Sequence, residues 1–225
     1  MGKFEATKLS VAAFFRVIDN YVLLNSGAAL GRGCGPILVK KKGSHANLHD
    51  NEILIPGELT TANLLLKLHL KNSYTTRYAR YDKIITDILE GKADFGIIIH
   101  EERFTFEQRG LEPVVDLGEF WEGETGLPIP LGAIAVKREL PQELQKELQA
   151  SIKESIVKAE QINPYSYILQ HSQNKDPDIV KKHIDLYVNA FSKDLGEEGT
   201  RAVTELYNRA VSAGFVTKND FRVFV

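Results

Sequence analysis

The sequence predicts an α/β fold followed by a helical C-terminal segment. Three observations carry that prediction. Between residues 52 and 99, short apolar runs alternate with helical patterns, as in sheets whose strands are joined by helices. The stretch "ADFGIII", residues 93–99, is apolar on successive positions, so both faces of that strand are covered. Beyond residue 140, long segments carry apolar residues at helical spacing.

The elements follow in order. "TKLSVAAFFRVIDN" reads as a strand end running into a helix, with Val11, Phe14, Phe15 and Ile18 on one stripe. "YVLLNSGAAL" is a strand and turn. "GRGCGPILVKKKG" is a glycine-rich turn leading to a strand, and "SHANLHDN" is the most linker-like stretch. "EILIPG" is a strand, and residues 59–72 form a helix with Leu64, Leu65 and Leu68 inward. "TTRYARYD" is a strand, and "YDKIITDILEGK" is a helix with Ile84, Ile85 and Ile88 apolar and Gly91 as its stop. Glu119, Glu122 and Glu124 flank Trp121 as a solvated rim, and "GLPIP" is a stiff connector suited to a hinge. "PLGAIAVKREL" is a strand. Pro141 starts a helix carrying Leu144, Leu148, Ile152 and Ile156, spaced by four. Asp176 caps the next helix ahead of Pro177, and a last helix ends at Gly214.

Composition limits the function classes. The 225 residues are 43% hydrophobic and 26% charged, with a net charge of -2. No basic block marks a nucleic-acid footprint, and no charged tail or apolar run marks a membrane partner. The single cysteine, Cys34, permits no intrachain disulfide, which fits a reducing compartment. The N-terminus lacks the pattern of a secretory signal, so the expected location is the cytoplasm.

Few residues carry candidate chemistry. His100 follows the apolar strand directly, at the carboxyl edge where open α/β sheets place ligands. Its imidazole can accept a proton near neutral pH. The plainer reading of position alone is a half-buried histidine bonded to a backbone carbonyl. Thr60 and Thr61 precede an apolar helix after Pro56-Gly57, where N–H groups and two hydroxyls can hold a carboxylate or phosphate; simple capping is the commoner use. Ser10, with Lys8 and Leu9 before it, offers a second such start, against a cap and a solvated lysine. "GRGCGP" is followed by a strand, so it is no dinucleotide fingerprint. His45 and His49 lack matching metal-ligand partners, and no metal is expected.

Several segments together resemble the 1,4-dihydroxy-6-naphthoate synthase family of menaquinone biosynthesis by the futalosine route. They are "GIIIHEERFTF", "VVDLGEFWEGETGLPIPLGAIAVKREL", "SGAALGRGCGPILV", "TKLSVAAF" and "YVNAFSKDLGEEG". The resemblance implies a two-lobed, type II periplasmic-binding-protein-like fold. It places residues 1–43 and 129–225 in a first, discontinuous lobe and residues 44–128 in a second α/β lobe. It implies a lyase acting on cyclic dehypoxanthinyl futalosine, an anionic small molecule, with His100 as general base. Lys8, Leu9 and Ser10 match one substrate-contacting segment, and Thr61 and Ala62 match another, beside Thr60. No cofactor is implied, and a homodimer stays open. Family members begin with a further segment of roughly fifty residues, the size of a β-α-β unit. Its absence here implies a first lobe short of strands. A non-catalytic carboxylate-binding protein, an inactive truncated fragment and the related chorismate-dehydrating enzyme are the rival readings.

Overall fold

The computed structural model describes residues 2–71, 74–162, 164–172 and 174–225. They form two compact units, Met1–Gly31 with Leu127–Val225, and Arg32–Gly126. The chain passes from the first unit to the second at the glycine-rich turn and returns at Gly126-Leu127, the start of the predicted connector. Residues 32–43, expected with the first lobe, therefore fold in the second unit. Their strand is bonded on both sides by strands of that unit.

The first unit is built on one long strand. β1 (Ala6–Ser10), β2 (Tyr21–Leu23) and β3 (Ala29–Gly31) all pair antiparallel with β9 (Ile129–Lys137). β1 takes one edge of β9, while β2 and β3 share the other end to end. Helix α1 (Val11–Phe14) is a single turn, shorter than the predicted helix, yet Val11, Phe14, Phe15 and Ile18 are all buried as the stripe required. The ring of Phe15 meets Tyr207 of helix α9 (Gly196–Ser212) edge to face at 5.3 Å. Ala202, Val203, Leu206 and Ala210 of α9 are buried at helical spacing.

The long helix α5 (Gln142–Ile162) packs Leu148 and Ile152 beside a core of Val22, Leu24 and Val136. Leu144, expected inward, is exposed, and Gln145 is buried in its place. The Gln145 amide nitrogen lies within donating distance of the carbonyls of Lys137, Arg138 and Leu140, 2.9–3.4 Å away, and so ties the β9–α5 turn. Helix α6 (Tyr165–His171) precedes α7 (Pro177–Tyr187), whose N-terminus is capped by Asp176 as expected. A single turn, α8 (Ala190–Lys193), leads into α9.

The second unit holds a five-stranded mixed sheet in the order β6 (Thr75–Tyr78), β5 (Glu52–Ile55), β7 (Phe95–Ile98), β4 (Ile37–Lys41), β8 (Leu111–Asp116). β5 runs parallel to both β6 and β7, whereas β4 runs antiparallel to β7 and β8. Every residue of β7 is buried, as its unbroken apolar run demands. Helix α2 (Thr61–Leu70) buries Leu64, Leu65 and Leu66; Leu68 is only half-buried, and predicted residue 72 lies outside the described residues. Helix α3 (Ile84–Leu89) lays Ile84, Ile85 and Ile88 on the sheet. Gly96 permits that approach, since a Cβ there would stand 2.5 Å from the Ile84 side chain. Helix α4 (Leu117–Thr125) buries Leu117 and Trp121, while Glu119 and Glu124 are exposed and Glu122 is half-buried, so the glutamates are a solvated rim, as expected, beside a tryptophan that lies in the core. No helix among the described residues is long and apolar enough to cross a membrane.

Candidate functional site

Strand directions gather one edge of the second unit's sheet. β5 and β7 are parallel neighbours, with Ile53 opposite Phe95 and Leu54 opposite Gly96, so the loops leaving them emerge together. β6 runs with them. β8 also points the same way, because two antiparallel steps separate it from β7. Four strands thus end on one side, where open α/β sheets place their ligands. β4 enters from that side, with Ile37 opposite both Ile98 and Asp116.

His100 opens a 3₁₀ turn, His100–Phe104, immediately beyond β7. Its backbone is left-handed, with φ 59°, a conformation that side chains other than glycine adopt at a cost of about 1–3 kcal/mol. Such a residue persists where its surroundings fix it, and here it turns the chain sharply out of the sheet. His100 is exposed, and its ring meets Tyr81 edge to face at 5.4 Å. Tyr81 begins the 3₁₀ turn Tyr81–Lys83 that follows β6, so the same sheet edge supplies both rings. The alternation of strands and helices carried this signal, but sequence reasoning did not single Tyr81 out.

Thr60, Thr61 and Ala62 lie at the same edge. Thr60 is the N-cap of α2: its Oγ1 accepts from the Asn63 N–H at 3.2 Å and donates to the Gly57 carbonyl at 2.7 Å. Thr61 and Ala62 are buried in the first turn, ahead of the first intrahelical bond, from the Leu64 N–H to the Thr60 carbonyl. Their backbone groups sit at the positive end of the helix dipole. Glu58 is exposed. At the far end of α2, the His69 ring packs edge to face on Phe120 of α4, and burial lowers its pKa.

Lys8, Leu9 and Ser10 lie on β1 of the first unit. The Lys8 ammonium donates to the Gly27 carbonyl at 3.1 Å. The residue keeps exposed area, yet enough protein surrounds the ammonium to lower its pKa by desolvation. Leu9 pairs with Ala133 on β9. Ser10 precedes α1 without capping it through its side chain; the hydroxyl donates to the Leu131 carbonyl at 3.3 Å.

Glu102 and Arg103 lie in the same turn as His100. Glu102 is largely buried: its Oε1 lies 3.6 Å from Arg109 Nη1, and its Oε2 has no hydrogen-bond partner among the described residues. Burial pushes its carboxyl up to about 7, with Glu101 and Asp82 adding to the rise and Arg109 opposing it. Arg103 reaches the Gly35 carbonyl and, at 3.2 Å, Asp116 Oδ2. The other Asp116 oxygen caps α4 by accepting from the N–H groups of Gly118 and Glu119, at 2.8 and 3.1 Å. Cys34, next to Gly35, is buried, and desolvation raises its thiol to about 12, so it is no nucleophile at neutral pH.

A protein family described as menaquinone biosynthesis matches residues 1–212. A curated relative from Thermus thermophilus, named 1,4-dihydroxy-6-naphtoate synthase, is 41% identical over 226 aligned residues, covering 100% of this chain and 82% of its own length. Among solved structures, a protein of Archaeoglobus fulgidus superposes with a TM-score of 0.88 at 33% identity, covering 95% of this chain and 81% of that one. The ligand-binding component of an ABC-type import system from Staphylococcus aureus gives 0.70 at 13% identity, covering 100% and 79%, which speaks for fold alone. The fold is thus periplasmic-binding-protein-like, and by sequence the chain belongs to the menaquinone biosynthesis family.

Proposed function

We propose that this chain is a carbon–carbon lyase that converts cyclic dehypoxanthinyl futalosine to 1,4-dihydroxy-6-naphthoate and dihydroxyacetone. The observation that carries the reading is the exposed His100 imidazole, set by a left-handed residue on the sheet edge that also holds the start of α2. His100 acts as general base and removes a proton from a carbon of the sugar-derived ring. The electron pair left behind drives ring opening and carbon–carbon cleavage, and formation of the aromatic naphthoate draws the sequence forward. A positioned base contributes roughly 10²–10⁴-fold, so orientation of the substrate supplies much of the remainder.

The substrate carboxylate is held by the first turn of α2 at Thr61 and Ala62, with Thr60 fixing that turn through its cap. Within the first unit, taken by itself, Lys8, Leu9 and Ser10 are a substrate-contacting segment, where the Lys8 ammonium favours an anion. The edge-on Tyr81 ring restricts the imidazole to few orientations.

Purified protein incubated with the cyclic futalosine substrate tests the reading directly. Wild type is expected to release dihydroxynaphthoate, and His100→Ala is expected to bind substrate normally while losing at least about 10²-fold in kcat. Normal turnover by His100→Ala removes the assigned base. Binding without turnover by wild type points instead to a carboxylate-binding protein of the same fold.

A further inference from the structure

A left-handed histidine stays put only if both flanks of its turn are anchored. On the N-terminal side, β7 is held between β5 and β4 and is wholly buried. On the C-terminal side, Arg103 is the fourth residue of the five-residue 3₁₀ turn that His100 opens. Residue 103 is an arginine whose side chain is only 13% exposed, paired with an Asp116 side chain that is 16% exposed. One terminal nitrogen donates to the Gly35 carbonyl and the other to Asp116 Oδ2.

The three segments joined in this way are themselves tightly set. Asp116 ends β8 and caps α4, and Gly35 leads into β4. The backbones of Gly35 and Gly118 touch: a Cβ on Gly35 would stand 2.3 Å from the Gly118 Cα. The guanidinium charge is neutralised by Asp116, so it is poorly suited to receive a substrate anion. Its planar fork matches two fixed acceptors, which the point charge of a lysine would not do.

We infer that Arg103 is a positioning residue that acts through His100, clamping the 100–104 turn to Gly35 and Asp116 so that the imidazole keeps one orientation. This deepens the proposed reaction and rests on it for the kinetic readout. The clamp should govern kcat rather than substrate binding, since misplacing a reacting group by about 1 Å can cost about 10²-fold.

The test compares Arg103→Lys in the wild-type and His100→Ala backgrounds. Alone, R103K is expected to lower kcat about 10- to 100-fold with KM within about threefold. In the His100→Ala background it is expected to lower the residual rate by no more than about twofold, because its effect runs through the missing ring. Equal losses in the two backgrounds, an unchanged kcat, or a rise in KM alone would each overturn the inference. Should R103K fail to fold, Asp116→Asn, which keeps the capping oxygen and removes the charge, carries the same comparison. The His100 ring resonance, assigned by its absence from His100→Ala, separates the two proposals. A shifted or broadened resonance in R103K supports the clamp even if wild type shows no turnover, which would sink the reaction alone. An unchanged resonance sinks the clamp whatever the turnover.

Discussion

Replacing Glu102 with glutamine should change how the second unit's stability responds to pH. The side chain is 12% exposed, one of its oxygens is buried without a hydrogen-bond partner among the described residues, and its nearest cation, on Arg109, stands 3.6 Å away. Burial therefore dominates and raises the carboxyl from 4.5 to about 7, with Glu101 and Asp82 contributing in the same direction. Below about pH 4.5 the group is protonated whether the chain is folded or not, and it adds no pH dependence. Between about pH 4.5 and 7 the folded chain retains a proton that the unfolded chain releases, so rising pH costs stability. At 1.36 kcal/mol per pH unit, the full loss amounts to at most about 3 kcal/mol above pH 7. Glutamine carries no such proton, so Glu102→Gln escapes the loss. The attraction of the partly exposed Arg109 is already contained in the value of about 7, so losing it takes nothing further from this difference. Trp121, the sole tryptophan, is buried in this same unit and reports its unfolding by fluorescence. Urea titrations at about pH 5 and about pH 8 should show the stability of E102Q relative to wild type rising by about 2 kcal/mol. A relative stability equal at both pH values would refute the reasoning, because it would mean the wild-type carboxyl is as easily ionised folded as unfolded.

Two further outcomes follow from the same unit. Cys34, buried and with its thiol pushed up to about 12, should resist iodoacetamide at neutral pH in the native protein and react promptly once the chain is unfolded; mass spectrometry of the labelled protein checks this. Gly35→Ala should destabilise the second unit by about 1–3 kcal/mol, measured by urea titration, because the added methyl would meet the Gly118 backbone at 2.3 Å. An alanine variant as stable as wild type would show that the two backbones can separate freely.

Legibility in the sequence followed how strong each local pattern was. β7 was readable because "FGII" is apolar without interruption, and only a strand covered on both faces explains that. α7 was readable because Asp176 and Pro177 stand where a cap and a first-turn proline belong. β8 and α4 were not. Pro113 interrupts the strand pattern but is tolerated because β8 lies at the edge of the sheet, and α4 carries two glycines among its glutamates. What fixes α4 is Asp116 as cap and Trp121 as anchor, and burial of that indole overrides the polar sequence around it. Gln145 shows the same limit from the other side. A period of four assigned the inward face to Leu144, yet three carbonyls at the end of β9 required a donor. His100 and the Thr60–Ala62 helix start were legible as candidates because strand ends and helix starts have sequence signatures. Tyr81 and Arg103 had none, since the residues they meet are distant in sequence, and no local pattern marks Glu102 as buried.

The chain path also orders events during synthesis. β1, β2 and β3 all pair with β9, and Leu23 of β2 also bonds Val223 and Val225, so Ala6 waits for Val136 and Ser10 for Gly132. The unit made of Arg32–Gly126 is continuous and has its whole sheet available before β9 leaves the ribosome. Vectorial emergence therefore favours the histidine-bearing unit as the earlier folding nucleus, since β1, β2 and β3 lack their β9 partner until Ile129–Lys137 has emerged.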